Sequence, residues 1–142
     1  MKHPERIEDY LEHIAEAIRR AMEYAQEIHT LEALEQNRQA QDAIVRNITV
    51  IGEAANRIQK AAPEFISSHS ELPWKEIRGM RNAIVHDYFD IGWQRVLDTV
   101  KNDLPPLLQK VEYAITEAKK NREAEPVRHP DNIPPRSGGC ER

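Results

Sequence analysis

The chain has 142 residues and a formal net charge of −4, a length that suits one domain with a sizeable hydrophobic core. Its composition, 39% hydrophobic and 31% charged, fits a soluble, helix-rich protein. The charge excludes a globally basic nucleic-acid surface, and the lone Cys140 excludes an intrachain disulfide and a cysteine-rich zinc site.

No apolar run approaches the roughly 18 residues that a membrane span needs. The opening "MKHPERIEDYLEHIAEA" is too acidic and polar for a signal peptide. A cytoplasmic protein is expected.

From Pro4 to about Ile28, Ile7, Leu11, Ile14, Ile18, Ala21, Ala25 and Ile28 recur at spacings of three and four. That spacing predicts one amphipathic helix, with Pro4 in its first turn. A second long helix is predicted from Asn37 as its cap, with Ala40, Ile44, Ile48, Ile51, Ala55 and Ile58 on one stripe, ending before Pro63. Gly52 inside it costs about 1 kcal/mol relative to alanine, which points to close approach by another backbone.

"PEFISSHSELP" reads as a short helical turn and loop. Pro73 opens a third helix through "WKEIRGMRNAIV", and "HDYFDIG" closes it. Asp90 is a candidate cap for a fourth helix holding Val96, Val100 and Leu104. Pro105 and Pro106 predict a kink there, because neither donates to the preceding turn. Periodicity resumes through Leu107, Leu108, Val111 and Ile115.

The expectation is an all-α domain over residues 1–120. Four main helices and a short connecting one form an up-down antiparallel bundle. The last segment, 121–142, is rich in proline and poor in apolar residues, which predicts a disordered tail.

One stretch carries most of the chemistry: "RGMRNAIVHDYF". Arg81 and His86 are five residues apart, about 140° of rotation on a continuous helix, so they would not share a face. Either the helix ends near Val85 and the chain turns back, or the groups meet across a subunit interface. Lys75 and Arg78 add to a local cationic surface. A fixed cation beside an imidazole suits RNA phosphodiester cleavage, the imidazole moving protons and the guanidinium holding the phosphate. On the residues alone the plainer reading is a histidine at a helix end, a solvated arginine, and Tyr88 and Phe89 as aromatic core. His3, His13, His29, His69 and His129 lack metal-ligand spacing, and nothing matches HExxH, a P-loop or a dinucleotide fingerprint. No metal site is expected.

"RNAIVHDY" has the form Arg-x4-His-x-Tyr and resembles the signature of the HEPN superfamily, closest to its HepT-like branch. "IVRNITVIGEAANRI", "LPWKEIRGMRN" and "VLDTVKNDLPPLLQKVE" fit the same branch in the expected order, over roughly Asp42 to Glu112. The proline-rich tail lies outside that pattern.

The resemblance implies an α-helical, metal-independent endoribonuclease that needs no cofactor and acts as the toxin of a toxin–antitoxin pair. It implies a homodimer whose two motifs line a shared cleft. The implied partner is a minimal nucleotidyltransferase antitoxin that transfers AMP from ATP to the motif tyrosine. Carried over by position, Arg81 and His86 are the catalytic pair, Asn82 a supporting residue and Tyr88 the AMPylated one. RNA is the implied substrate, and DNA, lacking the 2′-hydroxyl, is not. Apolar positions around Trp74, Ile77 and the fourth helix are candidate subunit contacts. The competing reading is a non-catalytic helical dimer that binds and regulates the nucleotidyltransferase or a nucleotide. The intact Arg-His-Tyr set favours the nuclease, and the acidic net charge favours the module.

Overall fold

The computed structural model describes residues 6–87 and 90–124, with 85–87 and 122–124 described by backbone alone. The architecture is all-α, a helical bundle with one two-stranded ribbon. Helix α1 spans Ile7–Tyr24, α2 Leu31–Glu35, α3 Arg38–Ala61 and α4 Pro63–Ser68. Helix α5 (Trp74–Arg78) and α6 (Met80–Ile84) precede strands β1 (Val85–Asp87) and β2 (Asp90–Ile91). Helix α7 (Trp93–Asp98) runs through a π-helical turn, Thr99–Asp103, into α8 (Leu104–Ala124). No helix among the described residues is long and apolar enough to cross a membrane.

Helix α1 packs most extensively against α3 and next against α8. Its inward stripe of Leu11, Ile14, Ile18 and Ala21 is fully buried, facing Ile44, Ile48, Ile51 and Ile58 of α3 and Leu104, Val111 and Ala114 of α8. The three-and-four spacing therefore marks the core face of each long helix. Pro4 lies outside the described residues, and Arg6 is the N-cap of α1, its amide donating to Asp9 Oδ2 at 3.0 Å. Asn37 caps α3 as the sequence predicts, its Oδ1 accepting from the Ala40 amide at 3.0 Å. Thr30 does the same for the short α2, which the sequence reading missed.

Three features differ from expectation. Asp90 does not cap a helix; it pairs with Asp87 across the antiparallel ribbon, and Gly92 is the N-cap of α7. The Gly92 amide donates to the Ile84 carbonyl at 2.8 Å, which commits the chain to the ribbon until that point. The kink predicted at Pro105 and Pro106 is instead a widened turn just before them. There the Leu104 amide reaches back five residues to the Thr99 carbonyl. The prolines then occupy the first turn of α8, where no amide is needed. Helix α8 also continues to Ala124, four residues beyond the predicted domain end at 120. The rest of the predicted tail lies outside the described residues.

Helix α5 sits on α3 at Gly52. A Cβ there would stand 3.4 Å from the Arg78 carbonyl oxygen and 3.5 Å from that of Ile77. The glycine admits the backbone of α5, as its position in the sequence suggested. Arg78 Nη1 then donates to Gln59 Oε1 at 2.8 Å and ties the two helices together. The Trp74 indole N–H donates to the His69 carbonyl at 2.9 Å, and Phe65 stacks on His69. Through these contacts α3 fixes the position of the segment that carries the motif.

Candidate active site

Gly79 interrupts the helical stretch 74–84, as its low helix propensity favours. The bonds from the Gly79 amide to the Lys75 carbonyl and from the Ala83 amide to the Gly79 carbonyl keep α5 and α6 aligned. Ile84, 1% exposed, anchors α6 in the core. Arg81 and Asn82 of the same helix are exposed. The Arg81 Nη1 donates to Asn82 Oδ1 at 3.4 Å, a long bond. Among the described residues no carboxylate lies within ion-pair distance of Arg81.

Helix α6 ends at Ile84, one residue before the expected turn, and the chain passes into β1. Arg81 and His86 are therefore not on one continuous helix, and the 140° divergence does not apply. His86 is the middle residue of β1, in the ribbon with β2. Its side chain lies outside the described part, and Tyr88 lies wholly outside the described residues. The ribbon irregularity between Val85 and Asp87 falls on His86.

Of the two nearby cations suggested by sequence, Lys75 is exposed but Arg78 is committed to Gln59. Arg78 is a structural tie. A depression of about 280 Å³ beneath α6 has Lys75, Glu76, Met80, Ala83, Arg95 and Asp103 among its lining residues, so Arg95 of α7 joins Lys75 near the motif, beside two carboxylates. The sequence reading missed Arg95 because its closeness depends on how α7 returns after the ribbon. Among the described residues no cluster of three or more His, Cys, Asp or Glu side chains is placed to hold a metal.

The model of the ribonuclease HepT-like family matches residues 14–114, a span that begins in α1 and ends in α8 and includes the Arg-x4-His-x-Tyr motif. The chain belongs to the ribonuclease HepT-like family. A protein of Thermococcus cleftensis named a probable ribonuclease HepT is 38% identical over 104 residues, covering 73% of this chain and 91% of the relative. A protein of Caldanaerobacter subterraneus subsp. tengcongensis, provisionally named an RNase, is 36% identical over 77 residues, or 54% of this chain and 66% of its own length. A longer protein of Methanocaldococcus jannaschii is 33% identical over 113 residues, 80% of this chain but 49% of the relative. Its name joins a gamma-glutamylcyclotransferase to a provisional RNase. No solved structure matches the chain significantly. HepT-like family membership supports ribonuclease activity on an RNA substrate.

Proposed function

We propose that the protein is a metal-independent endoribonuclease acting in the cytoplasm as the toxin of a toxin–antitoxin pair. Arg81 and His86 form its catalytic pair, at a cleft shared by two subunits. The observation that carries this reading is the placement of Arg81. It is an exposed guanidinium with no carboxylate partner among the described residues, in the last turn before the strand that carries His86, within the family match.

In the reaction the ribose 2′-oxygen attacks the adjacent phosphorus, and the bond from phosphorus to the 5′-oxygen breaks. His86 moves one proton, from the attacking hydroxyl or to the leaving oxygen, and water serves the other transfer. Arg81 neutralises the pentacoordinate phosphorane. The products are a 2′,3′-cyclic phosphate and a free 5′-hydroxyl. Asn82, within reach of the guanidinium, orients Arg81. A minimal nucleotidyltransferase silences the enzyme by transferring AMP to the Tyr88 hydroxyl, which adds negative charge where the RNA phosphate must sit.

The test is cleavage of labelled RNA by wild type and His86→Ala protein in EDTA, with DNA of the same sequence as control. Wild type cuts RNA only, and His86→Ala cuts neither. Equal RNA cleavage by both removes the assignment. Incubation with the transferase, ATP and magnesium adds one AMP mass to wild type and none to Tyr88→Phe. A non-catalytic regulatory dimer would show no cleavage in any sample.

A further inference from the structure

The outward face of α3 carries two depressions that meet at one residue. The first, a broad groove of about 820 Å³, runs beside the ribbon and is lined by Arg38, Asp42, Val45, Arg46, Ile91 and Trp93. The second, about 450 Å³, lies between α1 and α3 and is lined by Tyr10, His13, Arg46, Thr49, Val50 and Arg57. Arg46 lines both.

The chemistry along this path is uneven. Arg38 and Arg46 are exposed, and neither makes an ion pair or side-chain hydrogen bond among the described residues. About 12 Å of helix axis separates them. Arg57 lies further along and is paired with Glu53 at 3.5 Å. Asp42 and Glu53 oppose the three arginines, so the face is cationic by a single charge. Trp93 and Tyr10 are half-buried; each packs partly against the core and lines one of the two depressions with its remaining surface. The indole N–H of Trp93 and the hydroxyl of Tyr10 make no hydrogen bond among the described residues.

Unpaired guanidinium groups between two aromatic surfaces fit a single-stranded nucleic acid. Aromatic faces stack on bases without regard to sequence, and arginines track the phosphates. The groove at Trp93 adjoins β2, which pairs with the strand bearing His86. A strand of RNA lying there would therefore enter or leave beside the motif. We infer that the outward face of α3 is a binding path for single-stranded RNA flanking the scissile phosphate. Arg38 and Arg46 contact phosphates, and Trp93 and Tyr10 stack on bases. This rests on the reading of the protein as a ribonuclease, and it assigns the substrate as single-stranded.

The test uses the full chain with His86→Ala, so that RNA is bound and not consumed. A fluorescein-labelled oligouridine of about 20 nucleotides is titrated by anisotropy at several salt concentrations. Arg46→Gln is expected to weaken binding roughly five- to tenfold and to lower the salt slope by about 0.7, the value of one single-strand phosphate contact. Arg38→Gln has a similar effect. Arg20→Gln, on the outside of α1 and paired with Glu16, leaves both quantities unchanged. Unchanged affinity and slope in folded Arg46→Gln protein would overturn the proposal. So would a change in its oligomeric state by light scattering, which would assign the face to a subunit contact. The two readings fail separately. Arg46-dependent binding by a wild type that never cleaves RNA sinks the nuclease alone, whereas active cleavage with Arg46-independent binding sinks only the path.

Discussion

A Cβ on Gly52 would stand 3.4 Å from the Arg78 carbonyl oxygen, at the limit of ordinary contact. A methyl fits there in ordinary contact, so the helix-propensity gain of about 1 kcal/mol leads. Urea denaturation of Gly52→Ala is expected to show a protein as stable as wild type or up to about 1 kcal/mol more stable. Gly52→Leu has no such room. It should lose roughly 1–3 kcal/mol by overpacking, and because α5 positions α6, cleavage should fall with it. A stable, active Gly52→Leu protein would show that α5 does not set the motif. Asn82 makes the opposite kind of prediction. It is exposed and holds only a 3.4 Å contact to Arg81, so Asn82→Ala should leave helical circular dichroism and denaturation unchanged. Its turnover should fall about tenfold, since loss of an orienting contact is expected to cost about 1.4 kcal/mol in the transition state. Full turnover in Asn82→Ala would make Asn82 a bystander.

The elements that were legible in the sequence are those written in long-range periodicity or in a cap. Helices α1 and α3 follow from repeated three-and-four spacing, and the start of α3 follows from Asn37. The ribbon was not legible, because three residues and two residues cannot display an alternating pattern. Helix α2 was missed for the same reason of length, although Thr30 caps it. The two prolines gave the right place and the wrong distortion: the chain widens before them and does not kink at them. That widened turn has a consequence of its own. Lys101, inside it, donates from Nζ to the Ala25 carbonyl at 2.7 Å, at the C-cap of α1. An ammonium on the last carbonyls of a helix satisfies an orphan acceptor and complements the helix dipole. Lys101→Met keeps the stem and removes the charge, so it should cost about 1–2 kcal/mol with an unchanged denaturant slope. No loss of stability would mean that water serves the Ala25 carbonyl equally well.

For the molecule as a whole, the expected subunit contacts lay around Trp74, Ile77 and the fourth helix, but Trp74 and Ile77 themselves are 5% and 1% exposed in the chain's own core. Periodicity separates apolar from polar positions; it does not say which apolar face covers another helix and which covers a partner. The proposed shared cleft accordingly needs a test that names no contact residue. A homodimer predicts a light-scattering mass of twice the 16.4 kDa chain. It also predicts a specific complementation. Arg81→Ala and His86→Ala proteins are each inactive, yet a mixed dimer holds one intact Arg81 and one intact His86 on opposite subunits. If a site draws its arginine and its histidine from different subunits, one of the two symmetry-related sites is whole. Random mixing makes half the dimers mixed, so the mixture should recover up to roughly a quarter of wild-type cleavage. Subunits are exchanged in mild denaturant, refolded and assayed on the same labelled RNA, with each variant treated alone as the control. Recovery in the mixture alone places the two groups of a site in different subunits. No recovery, from a mixture shown by mass to contain mixed dimers, would place both groups of each site in one subunit and leave the dimer without a catalytic role.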